Sequence, residues 1–352
     1  MTVWIGNILS IPLYASILKY TDLGQKQQKS VLIFIMFCQL LFLTTFKNNV
    51  IFDDIWAYLI GFNYSKIIDW GRIKDIDYAA GFLNYELGWR YYVKVLSSLS
   101  DNEGMLIFVT GAIVLYSYLS LINKHSDMAW MAIFLFIAIV FYNSLFVLRQ
   151  NLATAICIFS LPFIVNRKPL KFLITIGLAS LFHNTAIIII ILYILYPIGL
   201  NVKMFSIIIL GGFLFNYFFV DLIQMGIEYF PEYAIYYNIG TTANNTPFLI
   251  SFIVLFFIYL QIYPIKNLEG YDRLFFIMIL IVTLFDLFRI NLSTGIIARL
   301  SGYFSVAIII LLPNAISRMN NPFFKYSSIG AIVILYFFMM IRQMDVGFKL
   351  AL

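Results

Sequence analysis

Residues 170–198 read LKFLITIGLASLFHNTAIIIIILYILYPI, with Lys171 as the only charge in 29 positions. A bilayer core of about 30 Å takes about 20 apolar residues as a helix. The stretch is therefore long for a single crossing, and the polar pair His183-Asn184 falls in its middle. It reads as two short membrane segments that meet near His183-Asn184. One long tilted helix is the rival reading.

The whole chain has the same character. It has 352 residues, 62% apolar and 11% charged, with a mean hydropathy of +0.92. Soluble domains carry roughly 45–50% apolar and about 25% charged residues. The fold expected is an all-α polytopic integral membrane protein, a single transmembrane domain over residues 1–352. This excludes a cytosolic enzyme, a secreted disulfide scaffold and a nucleic-acid binder. The net charge of +6 comes from short basic loops between apolar runs. Cys38 and Cys157 both lie inside apolar runs, against a structural disulfide or metal cluster. The first 18 residues hold no Lys or Arg, so no cleavable signal peptide is expected.

Besides 170–198, the expected spans are 3–18, 31–46, 104–122, 130–148, 150–165, 204–220, 247–264, 274–290, 294–312 and 326–341. Basic short loops mark the cytoplasmic side. Lys19, Lys26 and Lys29 fall there, then Lys124, then Arg167, Lys168 and Lys171, then Lys266 and Arg273, then Arg318 and Lys325. Loop 47–103 has eight acids against six bases and shows no basic bias. No Lys or Arg occurs between Lys203 and Lys266, an interval that holds the polar loop 221–246. Both loops read as extracytoplasmic. With 170–198 crossing twice, the expectation is about 11–12 membrane segments. Loop 47–103, rich in Trp and Tyr, suits short amphipathic helices at the membrane surface.

Charges within membrane spans cost roughly 2.5–3.5 kcal/mol each on insertion scales, so the exceptions are informative. Arg149 lies in NSLFVLRQNLATA; Arg289 and Arg299 flank NLSTG in FDLFRINLSTGIIARLSGYF. In this topology all three reach the outer face, together with His183 and the loop that carries Glu86. Arginine presents a planar fork that fits phosphate oxygens, so this grouping reads as a candidate pyrophosphate site. The competing reading of each arginine is a helix-end anchor that snorkels to the interface. His183 serves as a base, a phosphate donor or a hydrogen-bonded helix-end residue. Glu86 is a carboxylate base or a solvated acid. Asp53-Asp54 suits a helix start, and Asp286 suits an i, i+3 pair with Arg289. Asp75-Ile76-Asp77 is the nearest approach to a metal-binding DxD and reads as a solvated acidic patch. No metal and no cofactor are expected.

Four stretches in order, DDIWAY with NYELGWRYY, LRQNLATAI, LFHNTAIIII and ARLSGYF, resemble the EpsG/Wzy-like polysaccharide polymerases of bacteria, which build O-antigen, capsule or exopolysaccharide. The resemblance runs from about residue 3 to 342. It implies a GT-C-like architecture and a membrane glycosyltransferase in the inner membrane, with its site facing the periplasm; since no acidic cluster stands at metal spacing, metal-independent catalysis is expected. The implied reaction moves a growing glycan from undecaprenyl pyrophosphate onto a new repeat unit on the same lipid, releasing undecaprenyl pyrophosphate. Carried onto this chain, the motifs give Glu86, His183, Arg149, Gln150, Arg299 and Tyr303 as site residues; Arg289 joins them from the charge pattern. The implied partners are the lipid-linked donor and acceptor, membrane lipid and a chain-length regulator protein, with no nucleic acid.

Three rivals remain. A flippase for the same lipid needs charges spread through the membrane depth, whereas here they cluster at one face. A membrane acyltransferase typically has an Arg and a His about ten residues apart in a span, and neither histidine has that. An O-antigen ligase uses a similar donor and differs in its acceptor.

Overall fold

A computed structural model describes residues 2–47, 53–75, 85–198, 202–229, 246–262, 267–288 and 294–343. These are helical, with no β-strand among the described residues. Among the described residues, four helices are long and apolar enough to cross a membrane, and seven shorter apolar helices accompany them. The protein is thus an all-α polytopic membrane protein, as its hydropathy requires.

The chain forms two compact units. The first comprises residues 1–163, 168–187 and 323–352. It opens with α1 (Thr2–Lys19) and α2 (Gln25–Phe46). Leu9, Leu13 and Ile17 form one outward stripe on α1, each 55–62% exposed. Such a stripe at helical spacing is stable against lipid tails and costly against water. The loop expected at 47–103 begins with α3 (Asp53–Ile67), continues through a 3-10 segment (Trp70–Asp75) and ends in α4 (Leu87–Leu99). It does hold short helices, and α4 is strongly amphipathic. Asp54 sits in the first turn of α3, where a carboxylate interacts favourably with the positive end of the helix dipole.

Helix α5 (Gly104–His125) packs along α2, and α4 rests on α5. A Cβ at Gly111 would lie 2.7 Å from Thr44 Cγ2, so glycine is what lets these two helices approach. Small residues serve helix contacts in membranes this way, because lipid offers no hydrophobic drive for association. Helix α6 (Ala129–Ser144) packs against α1 and α5, and its segment Ile137–Phe141 is wound as a π-helix. After a short turn comes α7 (Leu148–Val165), then α8 (Pro169–Ser180). The expected break in 170–198 is present: α8 stops before His183, and the chain resumes as a 3-10 segment, Asn184–Ile189.

The second unit comprises residues 164–167 and 188–322. It holds α9 (Ile190–Leu195), α10 (Val202–Tyr229), α11 (Thr246–Ile262), α12 (Gly270–Phe288), α13 (Thr294–Gly302) and α14 (Val306–Ser317). Helix α12 is its core: Leu274 through Val282 are all buried, and α9, α10, α11, α13 and α14 pack around it. Two boundaries differ from those read in the sequence. Helix α10 continues to Tyr229, so the polar stretch from 221 begins as helix; residues 230–245 lie outside the described residues. The apolar run 294–312 is interrupted by a turn at Tyr303–Ser305, which divides α13 from α14. Hydropathy sees polarity alone: it does not show a helix that runs on into polar sequence, nor a turn inside an apolar run. The last helix, α15 (Pro322–Gln343), exposes Phe323, Phe324, Ile334 and Phe338.

Candidate functional site

The site is built where the start of α4 meets the end of α8, both in the first unit. A helix leaves its first N–H groups and its last C=O groups without intrahelical partners. Here each end satisfies the other. The Trp89 amide, in the first turn of α4, donates to the Leu181 carbonyl just past α8 at 3.2 Å. The Asn184 amide donates to Glu86 Oε1 at 3.1 Å. Glu86 precedes α4 directly and makes no side-chain cap to its own helix; its carboxylate is turned to the neighbouring turn instead. Gly88 permits the approach, because a Cβ there would lie 2.7 Å from the Leu181 carbonyl oxygen.

The second carboxylate oxygen of Glu86 forms an ion pair with Arg149 NH1. The arginine and the glutamate side chains are 20% and 12% exposed, so the pair sits at the edge of solvent and keeps an accessible side. Arg149 occupies the first turn of α7. A cation there opposes the helix dipole, and the Glu86 carboxylate offsets that cost. Two tyrosines complete the cradle. The Tyr58 hydroxyl accepts a hydrogen bond from Arg149, and the guanidinium carbon lies 3.9 Å from the centroid of the Tyr85 ring. Burial pushes the Tyr58 hydroxyl up to about 12, against the opposing pull of Arg149. Burial likewise raises Tyr85. Both phenols stay neutral at physiological pH, so Glu86 is the single anion that contacts the guanidinium among the described residues. The Arg149 Nε–H is buried with no acceptor among the described residues. Buried donors are rarely left this way.

His183 lies one residue from the Asn184 amide that Glu86 holds. Its Nδ1 is 2.8 Å from the Thr185 hydroxyl. That contact fixes the ring and directs Nε2 elsewhere. An aromatic chain braces the assembly from behind: Tyr85, Tyr58, Trp89, Tyr92 and Phe182 follow one another at centroid distances of 5.2–5.9 Å.

The structure therefore brings together three residues picked from sequence, Glu86, Arg149 and His183. Gln150 follows Arg149 and is buried. Arg299 and Tyr303 belong to the second unit, where Arg299 is exposed and Tyr303 is buried. Arg289 lies outside the described residues, and so does its expected pair with Asp286. Of the DxD stretch, residues 76 and 77 also lie outside them; no group of three or more His, Cys, Asp or Glu suited to a metal occurs among the described residues. Sequence reading passed over Tyr58, Tyr85, Gly88, Trp89, Asn184 and Thr185 as site residues. Every one of them stands inside the motif strings DDIWAY, NYELGW and LFHNT, which mark the segment and not what each residue faces.

A helical scaffold with membrane-length apolar helices and a cationic, aromatic-lined cradle at the helix ends defines the class: a polytopic membrane protein. The sequence matches the EpsG family over residues 30–350, nearly the whole chain, and the protein belongs to that family. No curated protein and no solved structure matches it.

Proposed function

We propose that the protein polymerises lipid-linked glycan repeat units at the outer face of the cytoplasmic membrane. The growing chain on undecaprenyl pyrophosphate is the donor, and one repeat unit on the same lipid is the acceptor. The observation that carries this reading is the Arg149 guanidinium, prepositioned by Glu86, Tyr58 and Tyr85 at a helix N-terminus, beside the His183 turn.

The chemistry follows from that arrangement. The acceptor hydroxyl attacks the anomeric carbon of the donor. The new C–O bond forms as the bond to pyrophosphate breaks, and the electron pair leaves with undecaprenyl pyrophosphate. Negative charge grows on the phosphate oxygens in that step. A fixed guanidinium stabilises it without reorganisation. The Arg149 Nε–H supplies a donor with no acceptor among the described residues. In the tautomer whose Nδ1–H donates to the Thr185 hydroxyl, 2.8 Å away, His183 Nε2 is the basic nitrogen, and the acceptor proton goes there. Both Glu86 oxygens are engaged, one by Arg149 and one by the Asn184 amide. Its role here is to position Arg149 and the His183 turn. Arg289, Arg299, Gln150 and Tyr303 remain candidates for holding glycan or pyrophosphate, and a chain-length regulator is a candidate partner. The reaction needs no metal in this account.

A surface-glycan ladder from a strain lacking this chain tests the reading. Loss of long chains, with single repeat units still reaching the surface acceptor, is the expected result. Loss of single units as well would transfer the role to a flippase or ligase.

A further inference from the structure

Helix α4 is inverted with respect to water. Its exposed residues are Leu87, Tyr91, Val95, Ser98 and Leu99, and none is charged. Leu87, Tyr91, Val95 and Leu99 recur at every fourth position and so form one stripe, 37–70% exposed. The two charged residues of α4 turn the other way. Lys94 is buried and gives its ammonium to the Ser65 carbonyl of α3 at 2.8 Å. Arg90 Nε donates to the Tyr85 carbonyl at 2.6 Å, and its NH1 donates to the Lys74 carbonyl at 3.3 Å. A helix surrounded by water places its cations outward and its apolar stripe inward.

The depth of α4 says what covers the stripe. Residues 100–103 alone separate it from α5, one of the helices long and apolar enough to cross a membrane. The Tyr92 and Thr110 hydroxyls are hydrogen-bonded at 2.9 Å. Helix α5 begins at Gly104, so Thr110 stands about 9 Å along its axis at 1.5 Å per residue. The apolar run of α5 opens at Met105. Helix α4 therefore rests beside turns of α5 that already enter hydrocarbon. Interfacial helices bury their apolar face about 5–10 Å into the boundary between headgroups and acyl chains. The apolar surface is also continuous in kind: Phe108, in the second turn of α5, is exposed like the α4 stripe.

We propose that α4 lies along the bilayer surface with Leu87, Tyr91, Val95 and Leu99 bedded in phospholipid of the outer leaflet, and that it thereby holds the Arg149 cradle at the depth of the lipid phosphates. Glu86, directly before α4, binds both Arg149 and the Asn184 amide, so the depth of the helix sets the depth of the site. The placement of α4 stands on its own geometry. Its consequence rests on the polymerase reading: a pyrophosphate on an isoprenoid lipid reaches Arg149 by diffusing within its own leaflet, without being drawn out of it.

The test uses the full-length protein in vesicles of phosphatidylethanolamine and phosphatidylglycerol. Val95→Cys and Leu99→Cys are each labelled with bimane in a Cys38→Ala background, since Cys38 is exposed and Cys157 is buried. The expected result is quenching by phospholipid brominated on its acyl chains, with shielding from aqueous iodide. Quenching by iodide alone puts the stripe in water and overturns the proposal. Quenching by neither puts a protein surface, such as a second copy of this chain, over the stripe and also overturns it. A second measurement needs no variant: the unaltered protein is irradiated in vesicles that contain diazirine-bearing phospholipid. Lipid adducts on the α4 peptide support the proposal, and adducts confined to other helices overturn it. The consequence is read separately. Val95→Glu combined with Leu99→Glu should lower chain extension about tenfold at an unchanged membrane level, because carboxylates resist entry into lipid. Full extension by that variant overturns the link between the helix and the site. If the labels report lipid and the unaltered protein builds no chains, the polymerase reading fails and the membrane face of α4 stands.

Discussion

Glu86 and Arg149, 63 residues apart in the chain, form an ion pair at the meeting point of two helix ends. The same carboxylate holds the amide of Asn184, the residue after His183. One side chain thus couples three stretches that sequence motifs singled out separately. A partly buried ion pair is weak evidence for stability. Its value here is orientation of a cation that keeps a solvent-facing edge.

Replacing that cation should remove activity without removing the protein. Arg149→Ala is expected to lower chain extension by at least about 100-fold, the range seen when a transition-state donor is deleted, with normal membrane insertion. Arg149→Lys should rescue poorly, because lysine lacks the fork. Quantified glycan ladders with protein levels from the same membranes check both.

Glu86 is a positioning residue in this account, and its variants separate that role from a base. Glu86→Gln keeps an acceptor for the Asn184 amide and loses the charge. Activity should fall by about tenfold, the effect of losing one charge-assisted hydrogen bond. The acidic limb of the pH–rate profile should stay where it is, because His183 sets it. Disappearance of that limb in Glu86→Gln would make Glu86 the base. Glu86→Ala should fall further than Gln.

Gly88 is fixed by the Leu181 carbonyl 2.7 Å from where its Cβ would stand. Gly88→Val must push α4 away from the turn, breaking the Trp89 to Leu181 hydrogen bond. Overpacking of this sort costs about 1–3 kcal/mol. A lower melting temperature in detergent, with activity lost more steeply than stability, is expected. Gly88→Val with unaltered activity would show that the docking of α4 on the turn is dispensable.

Lys47, the residue after α2, is 1% exposed, and its ammonium donates to the Thr44 carbonyl at 3.2 Å. Burial lowers it from 10.5 to about 7. Between those values the folded chain binds fewer protons than the unfolded one, so stability rises with pH across that window. The cost of burying the charge is full below pH 7 and gone above pH 10.5. Lys47→Met should therefore raise the melting temperature most at or below pH 7, with the gain shrinking as pH climbs to 10. A loss of stability at every pH would show that the ammonium has a needed partner.

The membrane class and the break at His183-Asn184 were legible because hydropathy and a polar pair inside an apolar run are local signals. The π-turn at Ile137–Phe141 and the turn at Tyr303–Ser305 were not, since both lie in sequence that is apolar on either side. For the site, charge drew attention to Glu86, Arg149 and His183. Tyr58 and Tyr85 looked like interfacial belt residues, because nothing in one sequence says that an aromatic ring faces a guanidinium. Gly88 was equally silent: its reason is a carbonyl 93 positions further along the chain.

The most direct test of the central claim is chain extension by the purified protein in vesicles supplied with lipid-linked repeat units alone. The account predicts a ladder of products from the unaltered protein and single units from Arg149→Ala. A ladder of equal length from Arg149→Ala, or none from the unaltered protein, would contradict it.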